Sequence, residues 1–145
     1  MPNAGDHKVL SDMVANGGRV QMTSDAEREI AWRLVELGFA EFVPLSMKIA
    51  TIEITARGRT AKILADFGIW NPDFCAIEPQ PSEMNGKWML KVSTVRGAVC
   101  IDTEDASGLV AQLMDVGATG IARQFHAEIE RARRYGEGRL HTEMQ

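Results

Sequence analysis

The sequence predicts an α+β protein, and three observations carry that expectation. A well-capped amphipathic helix over 25–37 stops at Gly38. Two short β segments, 39–43 and 49–55, flank a turn at Pro44-Leu45-Ser46. Further on, strands over 88–95 and 98–101 around Arg96-Gly97 read as a β-hairpin, and two helices follow it as a helical hairpin.

Each element has a local reason. His7 to Ala15 carries Val9, Leu10, Met13 and Val14 on one side and predicts a short first helix. Asn16-Gly17-Gly18 stops it, because glycine accepts the left-handed backbone of a helix exit. Arg19 to Met22 is short and extended. Ser24-Asp25-Ala26-Glu27 has the S-x-x-E pattern of a capping box. In the helix that follows, Ala26, Ile30, Leu34 and Leu37 form one stripe, widened by Ala31 and Val35. Thr55 is placed to cap a further helix, Ala56 to Asp66.

Residues 67–86 contain Pro72, Pro79 and Pro81 and read as an irregular connector. Phe67, Ile69, Trp70 and Phe74 are too apolar for a free linker, so this connector is expected to pack. After the hairpin, Asp102 or Thr103 caps a helix to Val116, with Ala106, Leu109, Val110, Leu113 and Met114 inward. Gly117 and Gly120 bracket a turn, and a last helix over 121–135 gathers Ile121, Phe125, Ile129 and Ala132 on one face. The polar tail 136–145 is expected to fray. The expected plan is therefore 1–66, a packed connector 67–86, a ββαα region 87–135, and the tail.

Composition narrows the function classes. The chain has 145 residues, 45% hydrophobic and 25% charged, which is the balance of a globular protein with a real core. No run of apolar residues is long enough to span a bilayer. The opening MPNAGDHKVL lacks the apolar stretch of a secretory signal, so the cytoplasm is the expected compartment. Cys75 and Cys100 are too few for a disulfide framework. The net charge is −4 and neither half is basic, which works against phosphate binding by bulk charge.

The stretch from Val35 to Leu64 carries a family resemblance. Leu37-Gly38-Phe39 as a helix exit, two β segments, and Ile54-Thr55-Ala56-Arg57-Gly58 at the start of the next helix resemble the back half of a winged-helix domain, within residues 7–66. The resemblance implies a winged-helix-like N-terminal half, with a helix for the DNA major groove and a wing that touches backbone or minor groove. On this chain the recognition helix would hold Arg28, Trp32 and Arg33, and the wing Lys48, Arg57 and Arg59. One departure stands out. A helix-turn-helix needs two helices before the wing, and residues 19–37 have room for one capped helix.

The sequence offers no catalytic signature. His126 and Glu130 stand at i, i+4 but lack further ligands, so no metal and no cofactor are expected. Asp102, Glu104 and Asp105 read as helix-capping acids rather than a cation site. Arg123, Arg131, Arg133 and Arg134 read as a solvated helix face. Neither cysteine has the context of a nucleophile, and no glycine-rich phosphate loop is present. The expectation is a non-enzyme.

Two functions remain. The first is a small protein-interaction or inhibitor module of bacterial, phage or mobile-element type, docking on a larger protein or on a second copy as a homodimer. Its expected contact residues are Arg28, Trp32, Arg33 and Glu36, because Trp32 falls on the polar side of its helix between Arg28 and Glu36. The second is a winged-helix transcriptional regulator that binds duplex DNA through Arg28, Arg33, Lys48, Arg57 and Arg59. One coherent basic face favours DNA; arginines scattered among carboxylates favour protein.

Overall fold

A computed structural model describes residues 3–43, 50–70, 76–82, 84, 86–95 and 97–143. The elements run α1 (Ala4–Ala15), β1 (Arg19–Met22), α2 (Asp25–Glu36), β2 (Ala40–Val43), β3 (Ala50–Ile54), α3 (Ala56–Asp66), β4 (Ala76–Pro81), β5 (Trp88–Thr94), β6 (Gly97–Asp102), α4 (Thr103–Asp115) and α5 (Thr119–Glu143). The fold is α+β, with five helices and two three-stranded antiparallel sheets among the described residues. The chain divides into two compact units: Met1–Asp66 with Trp70–Pro72, and Phe67–Ile69 with Asp73–Gln145. The expected turn at Pro44-Leu45-Ser46, and Phe74, Cys75 and Arg96, lie outside the described residues.

In the first unit, α1 starts three residues before its expected position. Asn3 and Asp6 form a reciprocal capping box that a search for Ser or Thr with Glu overlooks: Asp6 N–H donates to Asn3 Oδ1 at 2.9 Å, and Asn3 N–H donates to Asp6 Oδ2 at 3.0 Å. At α2 the cap is a variant of the expected one. Glu27 N–H donates to Ser24 Oγ, but the Glu27 carboxylate reaches one residue further back, to the Thr23 N–H at 2.9 Å. That backbone hydrogen bond from Thr23 leads the causes that hold the Glu27 carboxyl below its ordinary range.

The exit of α2 is a Schellman motif. Phe39 N–H donates to Leu34 O at 2.8 Å and Gly38 N–H to Val35 O at 3.0 Å, with Gly38 at φ 79°. The chain then enters β2. The sheet order is β1-β3-β2, so β3 is central, and Val20, Ile52 and Phe42 stand in one cross-strand row. Ile52 is fully buried, which marks that row as the face toward the core that α1 and α2 share. Leu10, Met13, Met22, Ala31, Leu34, Phe39, Ala40, Ile52, Ile54 and Ala61 form the core, with Val9, Ile30 and Leu37 packed partly buried against it. Ala26 and Val14, expected inward, are exposed, because the buried side of α2 is centred on Ala31 and Leu34 and that of α1 on Asp6, Leu10 and Met13.

The second unit departs more from expectation. Residues 67–86 are not irregular throughout. Ala76–Pro81 forms β4, so the hairpin is the larger part of a β4-β5-β6 sheet. Two prolines hid this strand. Pro79 and Pro81 pair with Leu90 and Trp88 on an edge strand, a place where a sheet tolerates a residue without an N–H. Leu90, Val92 and Ile101 are buried with Leu109 and Leu113 of α4 and Phe125 and Ile129 of α5. Asp102 caps α4, its Oδ1 accepting from Glu104 N–H at 3.0 Å. A second Schellman turn centres on Gly117, with Ala118 N–H donating to Leu113 O at 2.9 Å, so Gly120 lies inside α5 rather than in the turn. Met114 is half exposed, because α5 packs on the Leu109–Leu113 side of α4. The helix also continues past Tyr135 to Glu143, where a frayed tail was expected.

Two stability predictions test this packing. Leu34 is fully buried beneath α2, so Leu34→Ala is expected to cost about 2–5 kcal/mol, read as a lower denaturation midpoint. Gly58 lies in the first turn of α3, where a Cβ would overlap the Phe39 carbonyl oxygen and come within 2.8 Å of Ile54 Cγ1. Gly58→Ala is therefore expected to destabilise by at least about 1–3 kcal/mol, although alanine is the better helix former. A Gly58→Ala protein as stable as the wild type would show that α3 does not sit against that carbonyl.

Candidate functional site

The candidate site is the face where α2 meets β2. The capped start and glycine exit of α2 fix its rotation, which buries Ala31 and Leu34 and turns position 32 outward. Trp32 is 61% exposed and Phe42, at the edge strand, is 40% exposed. Their rings meet edge to face with centroids 4.9 Å apart and planes at 68°. Arg28, Ala31, Trp32 and Phe42 line an open, mostly apolar groove of about 270 Å³.

The arginines expected at this face have individual fates. Arg28 stands 3.7 Å from the fully exposed Asp25, a loose surface pair. Arg33 points elsewhere: its Nη2 donates to Oδ2 of Asp6 at 2.9 Å, and the Asp6 side chain is completely buried. This joins the end of α2 to the start of α1. Arg57 donates from Nε to Leu37 O at 3.1 Å and lies over the Phe39 ring at 5.4 Å. Arg59 approaches Gly18. Lys48 lies outside the described residues. Glu36 is exposed, as is Glu29 one helical turn before Trp32. On the outward face of the sheet, Glu41 stands opposite Glu53, and Glu53 pairs with Arg19 at 3.6 Å.

Sequence reasoning missed Phe42 and Glu29. Phe42 alternates correctly with Ala40 to face inward, but only the sheet order shows β2 to be an edge strand. The signal for Glu29 was available in its i, i+3 spacing to Trp32.

Elsewhere the described residues hold polar clusters without evident chemistry. His7 Nε2 and Lys62 Nζ each meet Asp66 at 2.7 Å, linking α1 to α3, and the His7 ring lies 5.4 Å from that of Trp70. His126 is exposed, and Glu130 pairs with Arg133 at 3.2 Å. Arg131 bonds Glu128 and Tyr135. Cys100 is a free, exposed thiol. Among the described residues no group of three or more His, Cys, Asp or Glu is placed to hold a metal ion, and no helix is long and apolar enough to cross a membrane.

The first unit is also where the chain has a likeness to a known family. Residues 3–64 match the family model described as DUF3860-like. The match covers α1 to the last turns of α3, including Trp32 and Phe42. None of the curated proteins matches the chain.

Arg33 and Arg28 differ in how much the fold depends on them. Arg33→Ala leaves the buried Asp6 carboxylate without its cation and is expected to cost about 1–3 kcal/mol. Arg28→Ala removes only an exposed pair and is expected to stay within about 0.5 kcal/mol of wild type. Thermal melts of the two variants check this ordering.

Proposed function

We propose that the chain is a non-enzymatic protein-interaction or inhibitor module, built on a winged-helix-like scaffold, that docks a larger protein through its α2–β2 face. The observation that carries this reading is the exposed Trp32–Phe42 pair beside an apolar groove. Tryptophan and arginine are enriched among the residues that dominate binding energy, and a concave apolar patch rimmed by charge is the usual form of such a site. Both aromatics stand on regular elements, which hold a contact surface in place better than loops do. The scaffold part of the proposal is supported by the order α-β-α-β-β-α and by β2 and β3 forming an adjacent antiparallel pair after α2.

The arginine placements favour this reading over a duplex-DNA regulator. Arg28 lies beside Asp25, Arg33 reaches Asp6, and Arg57 lies against Leu37 and Phe39. The outward sheet row Arg19–Glu53–Glu41 presents two carboxylates for one guanidinium. Phosphate contact needs the opposite balance.

Trp32→Ala tests the proposal. Because Trp32 is mostly in solvent, the variant is expected to lose no more than about 1 kcal/mol, the worth of one aromatic pair. The same variant is expected to lose a partner protein that the wild-type chain retains from nuclease-treated lysate. Capture unchanged by Trp32→Ala, or capture that disappears with nuclease, would overturn the reading.

A further inference from the structure

We infer that the Trp32 platform receives the arginine or lysine side chain of a cationic protein partner; the inference rests on the docking role proposed for this face. The local charge points to it. Glu29 lies three residues before Trp32 and Glu36 four residues after it, so the three side chains share one face of α2. Both carboxylates are exposed, and neither enters an ion pair among the described residues. The two cations of α2 are otherwise engaged: Arg28 lies beside Asp25, and Arg33 is turned to buried Asp6. Among the described residues, Glu29 and Glu36 are thus the charges on the Trp32 face of α2 that enter no ion pair, while Arg28, which also lines the groove, stands beside Asp25.

The shape agrees with the charge. A lysine or arginine is an apolar stem with a cationic head. The groove offers Ala31, Phe42 and the indole to the stem. The face of an indole attracts a cation through its quadrupole, more strongly than any other side-chain ring. Arg28 with Asp25 closes one end of the face. Glu36, eight residues further along the helix and so about 12 Å away, stands at the other end and gives the head its direction. An acidic peptide would meet Glu29 and Glu36, and a nucleic acid would meet the same carboxylates with its phosphates.

The test titrates the full chain with three probes and follows backbone amide NMR signals. The probes are a short capped peptide of alternating arginine and leucine, the matching glutamate and leucine peptide, and a short DNA duplex. The arginine peptide is expected to shift amides of residues 28–36 and 40–43. Its affinity is expected to weaken as salt rises. It is also expected to fall about tenfold with Trp32→Ala and with the Glu29→Gln, Glu36→Gln double variant, which a fold-change of this size equates to about 1.4 kcal/mol. Trp32→Phe keeps an aromatic platform and is expected to retain most of the binding. No shift with millimolar arginine peptide, preferential binding of the glutamate peptide or the duplex, or an affinity indifferent to the two glutamates would each overturn the inference. Its failure can be told from that of the docking role. If Trp32→Ala abolishes partner capture while the double glutamine variant leaves it intact, the docking role stands and the cationic partner falls. If neither substitution changes capture or peptide binding, both fall.

Discussion

The first unit depends on one close approach, that of Gly58 to the carbonyl of Phe39. Around it the exit of α2 and the entrance of α3 are tied by a set of polar bonds. Thr55 N–H donates to Phe39 O at 3.0 Å, and the Thr55 hydroxyl donates to Gly38 O at 2.6 Å while accepting from Gly58 N–H at 3.1 Å. Arg57 bonds Leu37 O from the same turn. The Schellman exit and the first turn of α3 both need partners for their unpaired backbone groups, and here they supply each other. Since the two segments bracket β2 and β3, this knot fixes where the strands begin and end. It also brings Phe39 into the same core as Leu34.

A second tie acts in the last turn of α2, toward α1. Asp6 is buried with one carboxylate oxygen held by the Asn3 N–H and Arg33, while its Oδ1 has no hydrogen-bond partner among the described residues. A buried carboxylate in that state is costly unless its cation stays in place. The pair therefore contributes geometry more than net stability: it sets how the end of α2 lies against the start of α1. With the Thr55 knot at its exit and Arg33 bonded to Asp6 of α1, α2 has little freedom to rotate. The direction of Trp32 follows from that.

Much of the first unit was legible because its signals are local. Ser24 with Glu27, Gly38 after Leu37, and Thr55 before Ala56 each act within four residues, and periodicity placed Leu34 and Ala31 correctly. The misreadings came from competing rules. The box of Asn3 and Asp6 uses residues that also favour turns, so α1 was started late. Pro79 and Pro81 argued against a strand, and only the position of β4 at a sheet edge makes them compatible with one. The polar helical angle of Arg33 predicts a contact residue and gives no sign of its bond to Asp6. Nothing in the local pattern announces a buried Asp6 twenty-seven residues earlier in the chain. The candidate groove was legible in part: the wheel places Trp32 and Arg28 on the outer side of α2, and only the order of the strands adds Phe42.

The fold accounts for where Trp32 points and not for why it is tryptophan. Ala31 and Leu34 fill the underside of α2, and a lysine or glutamine at position 32 would satisfy helix propensity and solvent equally well. The same holds for Phe42. Its row with Ile52 and Val20 turns it inward, yet at the edge of the sheet 40% of it remains in water, where a smaller or polar residue would serve stability. Two large aromatics therefore stand at adjoining positions where packing asks for neither. Their contact with each other recovers part of the exposed area but leaves the groove beside them open. The proposed interaction surface gives both residues a role that the core does not, and Glu29 and Glu36, which enter no ion pair among the described residues, stand on the same face of α2.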